Sequence, residues 1–167
     1  MRKIAIVGPE STGKTALAAQ LSDYFLEPWV REYAREYLES LDRPYTLDDL
    51  VLIAREQIRQ ECRAAKAADQ FLFCDTNLLV IKIWAQDKFG RIPAEIEALW
   101  DPPSYEMHLL LYPDLPWEDD PLREDPDRLL ELFEKYEKQL ESLDCSYAVI
   151  RGVGEERFQR ALWILGL

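Results

Sequence analysis

Histidine is almost missing from this sequence: His108 is the only one, which argues against Ser-His-Asp triads and multi-histidine metal sites. Cysteine is sparse as well. Cys62, Cys74 and Cys145 are odd in number and far apart, with neither the paired spacing of a zinc site nor the density of a disulfide scaffold, so they are expected as reduced core residues. No apolar run approaches the roughly 18 residues of a membrane span. The basic start Met1-Arg2-Lys3 leads into Ile4-Ala5-Ile6-Val7, too short for the core of a signal peptide. A cytoplasmic chain with no membrane insertion is expected. Basic side chains are in deficit, 20 against 32 acidic ones, for a net charge of -12. That balance repels nucleic acid and anionic membranes at long range and favours a small-molecule partner. Any phosphate site must then be built locally, from backbone amides and a few placed Arg and Lys side chains, with Mg2+ adding charge. Chemistry falls to carboxylates, Lys and Arg.

What is present is an alternation of two periods. The 167 residues suit one domain, 1–167, with no repeat or linker. Lys3 to Val7 reads as a strand and Thr15 to Phe25 as a helix with apolar residues at helical spacing. A short strand at Trp29-Val30 precedes a helix from Glu32 to Ser40. Thr46-Leu47-Asp48-Asp49 then offers a capping-box-like start to a helix reaching about Ala68. Phe71 to Cys74, ending in Asp75, has the unbroken apolar character of a strand buried on both faces of a parallel sheet. Leu78 to Lys88 reads as a helix, the stretch holding Pro93, Pro102 and Pro103 as irregular, and Met107 to Tyr112 as another buried strand. Prolines and acid clusters make 113–127 a surface loop. A helix from Asp127 to Leu143, a strand from Tyr147 to Ile150 and a helix from Glu155 to Leu165 complete the chain. Strands alternating with helices predict a three-layer α/β fold. Trp84, Trp100 and the Leu/Ile stripe around Trp163 are expected in the core.

Gly8-Pro9-Glu10-Ser11-Thr12-Gly13-Lys14-Thr15 satisfies G-x-x-x-x-G-K-[ST] and lies directly between a strand and a helix, the context in which backbone N–H groups can converge on phosphates. These residues, with Ala16, form the expected nucleotide-binding set. Lys14 is expected to bridge the β and γ phosphates and the Thr15 hydroxyl to ligate Mg2+. Asp75, at the C-terminal end of a buried strand, can hold the same metal shell; alternatively Asp75-Thr76-Asn77 caps the following helix. The run Arg31-Glu32-Tyr33-Ala34-Arg35-Glu36-Tyr37 reads equally as a salt-bridged helix surface or as groups facing a phosphate acceptor. Leu115 to Arg123, with an aromatic, an acid cluster and an arginine, is either a lid that brings Arg123 to the phosphoryl group or a solvated turn.

Taken in order, the phosphate loop, Glu32-Tyr33-Ala34-Arg35-Glu36-Tyr37-Leu38, Cys74-Asp75-Thr76-Asn77-Leu78-Leu79 with Trp84 and Phe89-Gly90, and Pro116-Trp117 to Asp120-Pro121-Leu122-Arg123 resemble the NadR-type ribosylnicotinamide kinase domain. That domain sits within the P-loop nucleoside and nucleotide kinases, and the likeness spans nearly the whole chain. It implies a P-loop NTPase fold whose five-stranded parallel sheet runs 2-3-1-4-5. It also implies ATP-dependent phosphorylation of the 5'-hydroxyl of nicotinamide riboside to nicotinamide mononucleotide; the residues alone equally suit another nucleoside or nucleotide kinase, or a nucleotide-binding regulatory P-loop module with little turnover. In that scheme Lys14, Glu32, Asp75 and Arg123 are catalytic, with Arg35 or Arg128 as further arginines near the migrating charge. Glu32, Tyr33, Arg35, Asp75, Trp117 and Asp120 contact substrate, and Thr15 and Asp75 hold Mg2+. Glu32 is favoured as the base, with Asp75 serving the metal; the roles can be exchanged. Many relatives carry Asp where this chain has Asn77. Full-length members can also carry adenylyltransferase and DNA-binding domains, for which this chain has no room ahead of the first strand; kinase activity alone is expected.

Overall fold

The computed structural model describes residues 1–121, 123 and 126–167. Five strands, β1 (Arg2–Val7), β2 (Trp29–Val30), β3 (Phe71–Asp75), β4 (Met107–Leu111) and β5 (Tyr147–Ile150), form one parallel sheet in the order β2-β3-β1-β4-β5. The order predicted from the resemblance is the one observed. Among the described residues six α-helices lie between the strands, α1 (Lys14–Phe25), α2 (Tyr33–Glu39), α3 (Leu47–Ala64), α4 (Leu78–Phe89), α5 (Ala94–Leu99) and α6 (Leu129–Ser142), and α7 (Gly154–Ile164) follows β5.

Alternation along β1 sorts the core into two faces. Ile4 and Ile6 point into a layer closed by Leu17 and Leu21 of α1 and Ala161 and Leu162 of α7. Ala5 and Val7 point the other way, against Leu79 and Ile83 of α4 and Phe133, Tyr136 and Leu140 of α6. A third cluster, built on Leu50, Ile53, Leu78 and Ile96, packs α3, α4 and α5 together. Every residue of β3 is buried, which is why it reads as an unbroken apolar run ending in Asp75.

The predicted elements hold, with instructive departures. The Asp49 carboxylate accepts from the Thr46 backbone N–H at 2.7 Å, as the capping box requires, and also from Tyr37 and Arg43, which hold its carboxyl well below the ordinary carboxylate range. α3 stops at Ala64, short of Ala68. Beyond it the Glu27 carboxylate collects the backbone N–H groups of Asp69, Gln70 and Phe71 and turns the chain into β3. α5 lies in the stretch expected to be irregular: Pro93 stands at its N-cap, so proline starts this helix rather than breaking one. Cys62 is exposed, unlike buried Cys74, because it falls on the outer side of α3. Trp163 is 78% exposed although Leu162 and Leu165 beside it are core. Trp84 is only half-buried and faces the cleft described below.

Candidate active site

The C-terminal ends of β1 and β3 are held in register, with Ile6 beside Asp75 and the Thr76 N–H donating to the Ile6 carbonyl at 2.9 Å. The chain leaves β1 through Gly8, whose φ of 141° and close approach to β4 admit no side chain: a Cβ there would stand 2.8 Å from the Leu111 carbonyl oxygen. The loop that follows wraps the first turn of α1, with Ser11 at a left-handed φ of 57°. Thr12 Oγ1 donates to the Pro9 carbonyl at 2.8 Å, and Lys14 Nζ donates to the same carbonyl at 2.8 Å. The lysine thus lies folded back along its own loop. The Thr15 hydroxyl donates to Asp75 Oδ2 at 2.6 Å.

Asp75 is 1% exposed and its Oδ1 has no partner among the described residues. Burial raises its carboxyl, against the pull of the Thr15 hydroxyl and Lys14. The capping alternative for Asp75 is not what the structure shows. Asn77 is the N-cap of α4, accepting from the Leu79 N–H at 3.0 Å. A carboxamide performs that cap as well as a carboxylate does, which gives the departure from the common Asp a structural role.

In front of the loop opens a cleft of about 470 Å³. Gly8, Glu10 and Ser11 through Ala16 form one wall. The other side carries Glu32 at the N-cap of α2, Arg35 and Leu38 behind it, and Val80, Trp84 and Tyr136 from α4 and α6. Glu32 is half-buried, and burial first, then the neighbouring Asp75 and Glu10, push its carboxyl up to about 7 against the opposing pull of Lys14 and Arg35. Burial also raises the Tyr136 hydroxyl well above its ordinary value, with Glu32 and Glu10 adding to it. Trp84, named with the family motifs but expected in the core, lines the cleft, as does Tyr136, which the sequence reading missed because it falls on the buried stripe of α6 with Leu132, Phe133 and Leu140.

The loop after β4 reaches back over the cleft mouth. The Glu118 N–H donates to Ser11 Oγ at 3.0 Å, Arg123 Nη1 lies 3.3 Å from the same oxygen, and Arg123 also donates to the Glu118 carbonyl at 2.5 Å. Arg35 Nη2 donates to Asp120 Oδ2 at 2.7 Å, tying α2 to the same segment. Leu115, Pro116, Glu118 and Arg123 line the cleft. Trp117 and Asp120 do not; with Asp119 and Arg123 they border a separate hollow of about 370 Å³. Tyr33 is absent from the cleft wall and packs on Tyr37 instead, while its N–H donates to Gln57. Arg128 lies away from the cleft, paired with Asp87 and Glu131. Leu122, part of the motif read as a lid, and the neighbouring Glu124 and Asp125 lie outside the described residues.

Among the described residues no cluster of three or more His, Cys, Asp or Glu is poised to hold a metal. The pair Thr15 and Asp75 nevertheless suits Mg2+, an ion that keeps several waters and takes only one or two protein groups beside phosphate oxygens. The unpartnered Oδ1 of Asp75 fits that use.

A family model described as an AAA domain matches residues 3–157. The chain belongs to this AAA domain family. The match runs from the start of β1 to the first turn of α7 and so includes the phosphate loop and every cleft residue named above. The trifunctional NAD biosynthesis/regulator protein NadR of Salmonella typhimurium LT2 is 28% identical over 129 residues, 74% of this chain and 31% of the relative; the Escherichia coli K12 protein of the same name is 29% identical over 127 residues, again 74% and 31%. The chain therefore spans under a third of the length of these relatives. Among solved structures, NadR in complex with NR superposes with a TM-score of 0.78 at 24% identity, covering 98% of this chain and 50% of that one. NadR with NAD and AMP-PNP gives 0.75 at 22%, covering 98% and 48%. Deoxyadenosine kinase from M. mycoides gives 0.68 at 14%, covering 98% of both chains. These neighbours share the fold. The resemblance read from the motifs is the one the comparisons return, and no described helix is long and apolar enough to cross a membrane.

Proposed function

We propose that the chain is an ATP-dependent kinase that phosphorylates the 5'-hydroxyl of nicotinamide riboside, with 1–167 acting as one kinase domain and about 113–127 as its lid. The observation that carries this reading is a complete phosphate loop and the Glu32 carboxyl lining one cleft, with burial pushing that carboxyl up to about 7. A carboxyl so placed is matched to accept the hydroxyl proton near neutral pH. Asp75 is the weaker candidate for base, since it is almost fully buried and already holds Thr15. Backbone N–H groups of Gly8 and 10–16, with Lys14, hold the donor phosphates, Arg123 reaches the transferring group from the lid, and Arg35 lies beside the acceptor. Mg2+, held by Thr15 and Asp75, would neutralise phosphate charge. Nicotinamide carries positive charge as its riboside, and Glu32, Trp84 and Tyr136 give the cleft outside the phosphate loop the acidic, aromatic character that suits it. The NadR relatives, one of them solved with NR, support the substrate.

Two measurements test the reading. Across a panel of ribosides with ATP, mass spectrometry of the products is expected to give nicotinamide riboside the highest kcat/KM; equal or better turnover of thymidine or cytidine removes the substrate assignment while leaving a kinase. The second concerns pH. Because burial raises the Glu32 carboxyl to about 7, the protonated form is the one the fold favours. Its stabilising contribution is full below the ordinary carboxyl range and is lost as pH rises through about 7. Activity needs the opposite form, so kcat/KM is expected to fall about tenfold per pH unit below that pKa. Glu32→Gln is expected to abolish this limb and lower kcat by about 10² or more. An unchanged acid limb in a folded Glu32→Gln enzyme would move the base elsewhere.

A further inference from the structure

Arg157, in the first turn of α7, is 4% exposed, and its guanidinium gathers three loops. Nη1 donates to the Thr12 carbonyl of the phosphate loop. Nη2 donates to the Tyr112 carbonyl at 3.1 Å and to the Asp114 carboxylate, at the root of the segment that crosses the cleft. Nε donates to the Gly152 carbonyl at 3.0 Å, and Asp114 closes the circuit by accepting from the Gly152 N–H at 2.6 Å. Arg157 itself does not line the cleft.

We infer that Arg157 is a positioning residue for the donor site: by holding the Thr12 carbonyl on the far side of the phosphate loop, it aims the Gly13 N–H into the cleft. The inference rests on reading that cleft as a triphosphate site. In a trans peptide the C=O of one residue and the N–H of the next point in opposite directions within one plane. Fixing Thr12 C=O toward a buried guanidinium therefore fixes the Gly13 N–H toward the side where phosphate would bind. Gly13 sits at a left-handed φ of 79°, and a Cβ on it would stand 3.2 Å from Arg157 Nη1 and 3.0 Å from Leu115. The arginine is thus packed directly against the loop whose shape it sets. A planar fork with five donors can serve acceptors in several directions at once, whereas a point charge cannot. Through Asp114 the same group joins the loop to the root of the lid.

The test compares wild type with Arg157→Met, which keeps the apolar stem and deletes the fork. Calorimetry with AMP-PNP and Mg2+ is expected to show a Kd raised at least about tenfold, or about 1.4 kcal/mol. Nicotinamide riboside should bind within about twofold of wild type, since a change confined to the donor side carries little coupling to the acceptor. Hydrogen exchange is expected to accelerate in 8–15 and not in α4 or β3. AMP-PNP binding within about threefold of wild type overturns the inference, and so does exchange that rises equally across β3 and α4, the mark of plain destabilisation. Should Arg157→Met fail to fold, Arg157→Lys retains the charge without the fork, and undiminished AMP-PNP binding by that variant overturns it too. If wild type binds no AMP-PNP, the kinase reading fails instead, and exchange in 8–15 of the variants then decides the role of Arg157 alone.

Discussion

Lys14→Ala is expected to leave a folded protein with no measurable turnover, a fall of at least about a thousandfold in kcat. Lys14 begins the first turn of α1, and its ammonium donates to the Pro9 carbonyl at 2.8 Å. Losing a hydrogen bond of this kind costs about 1 kcal/mol, and alanine is favourable in the helix, so the melting temperature should move by only a few degrees. Among the described residues Lys14 is the only lysine lining the cleft, in a protein whose net charge of -12 repels a triphosphate. Its removal therefore takes away local positive charge that no distant residue replaces. The measurement pairs steady-state kinetics with circular dichroism. A folded variant with wild-type kcat would show that the lysine serves only the loop carbonyl and that the donor site lies elsewhere.

How much of this was legible depends on whether the information is local. The phosphate loop is a chemical word: glycines where the backbone must bend, a lysine and a threonine at fixed offsets, and a strand and a helix on either side. It stands where the sequence placed it. Asp75 was legible as the polar end of an unbroken apolar strand, but its 2.6 Å contact with Thr15, 60 positions away in the chain, depends on β1 and β3 lying side by side. The division of labour in Asp75-Thr76-Asn77 was not legible, since all three residue types cap helices; backbone direction alone hands the cap to Asn77.

Arg157 shows the same limit from the other side. In the sequence it is one charge among Glu155, Glu156 and Arg160 on an amphipathic helix, and its neighbours do form ordinary surface pairs, such as Arg160 with Glu156 at 2.8 Å. The available signal was its phase: Arg157, Ala161 and Leu165 recur at intervals of four, and all three are buried. A charge on the apolar stripe of a helix needs a partner inside, because burial without one is costly. Glu32 and Arg35 were ambiguous for the opposite reason. Their spacing suits a solvated helix, and Arg35 does make such a contact, to Glu39 at 3.4 Å, while also bonding Asp120 across the chain. Arg35 thus keeps a helix-surface pair while also lining the cleft.

Arg123→Ala separates a phosphate-clamping segment from an acidic surface turn. Arg123 is held by its own segment and the phosphate loop together: it donates to the Glu118 carbonyl at 2.5 Å, lies 3.3 Å from Ser11 Oγ, and stands 3.8 Å from the Glu118 carboxylate. If that were its whole role, the variant would lose a surface pair of about 0–1 kcal/mol and little activity. Ser11, however, belongs to the phosphate loop, and Arg123 lines the cleft in front of it, so a short movement would bring the guanidinium to a phosphoryl group. An interaction that grows as charge migrates raises kcat more than it strengthens ATP binding. The expected result is a fall in kcat of at least about a hundredfold, with ATP affinity changed by less than about tenfold. Lysine should rescue poorly, because a point charge cannot hold the Glu118 carbonyl and a phosphoryl oxygen in the geometry of a planar fork. A folded Arg123→Ala enzyme with kcat within about threefold of wild type would make 116–123 a surface turn and leave charge stabilisation to Lys14 and the backbone amides of the loop.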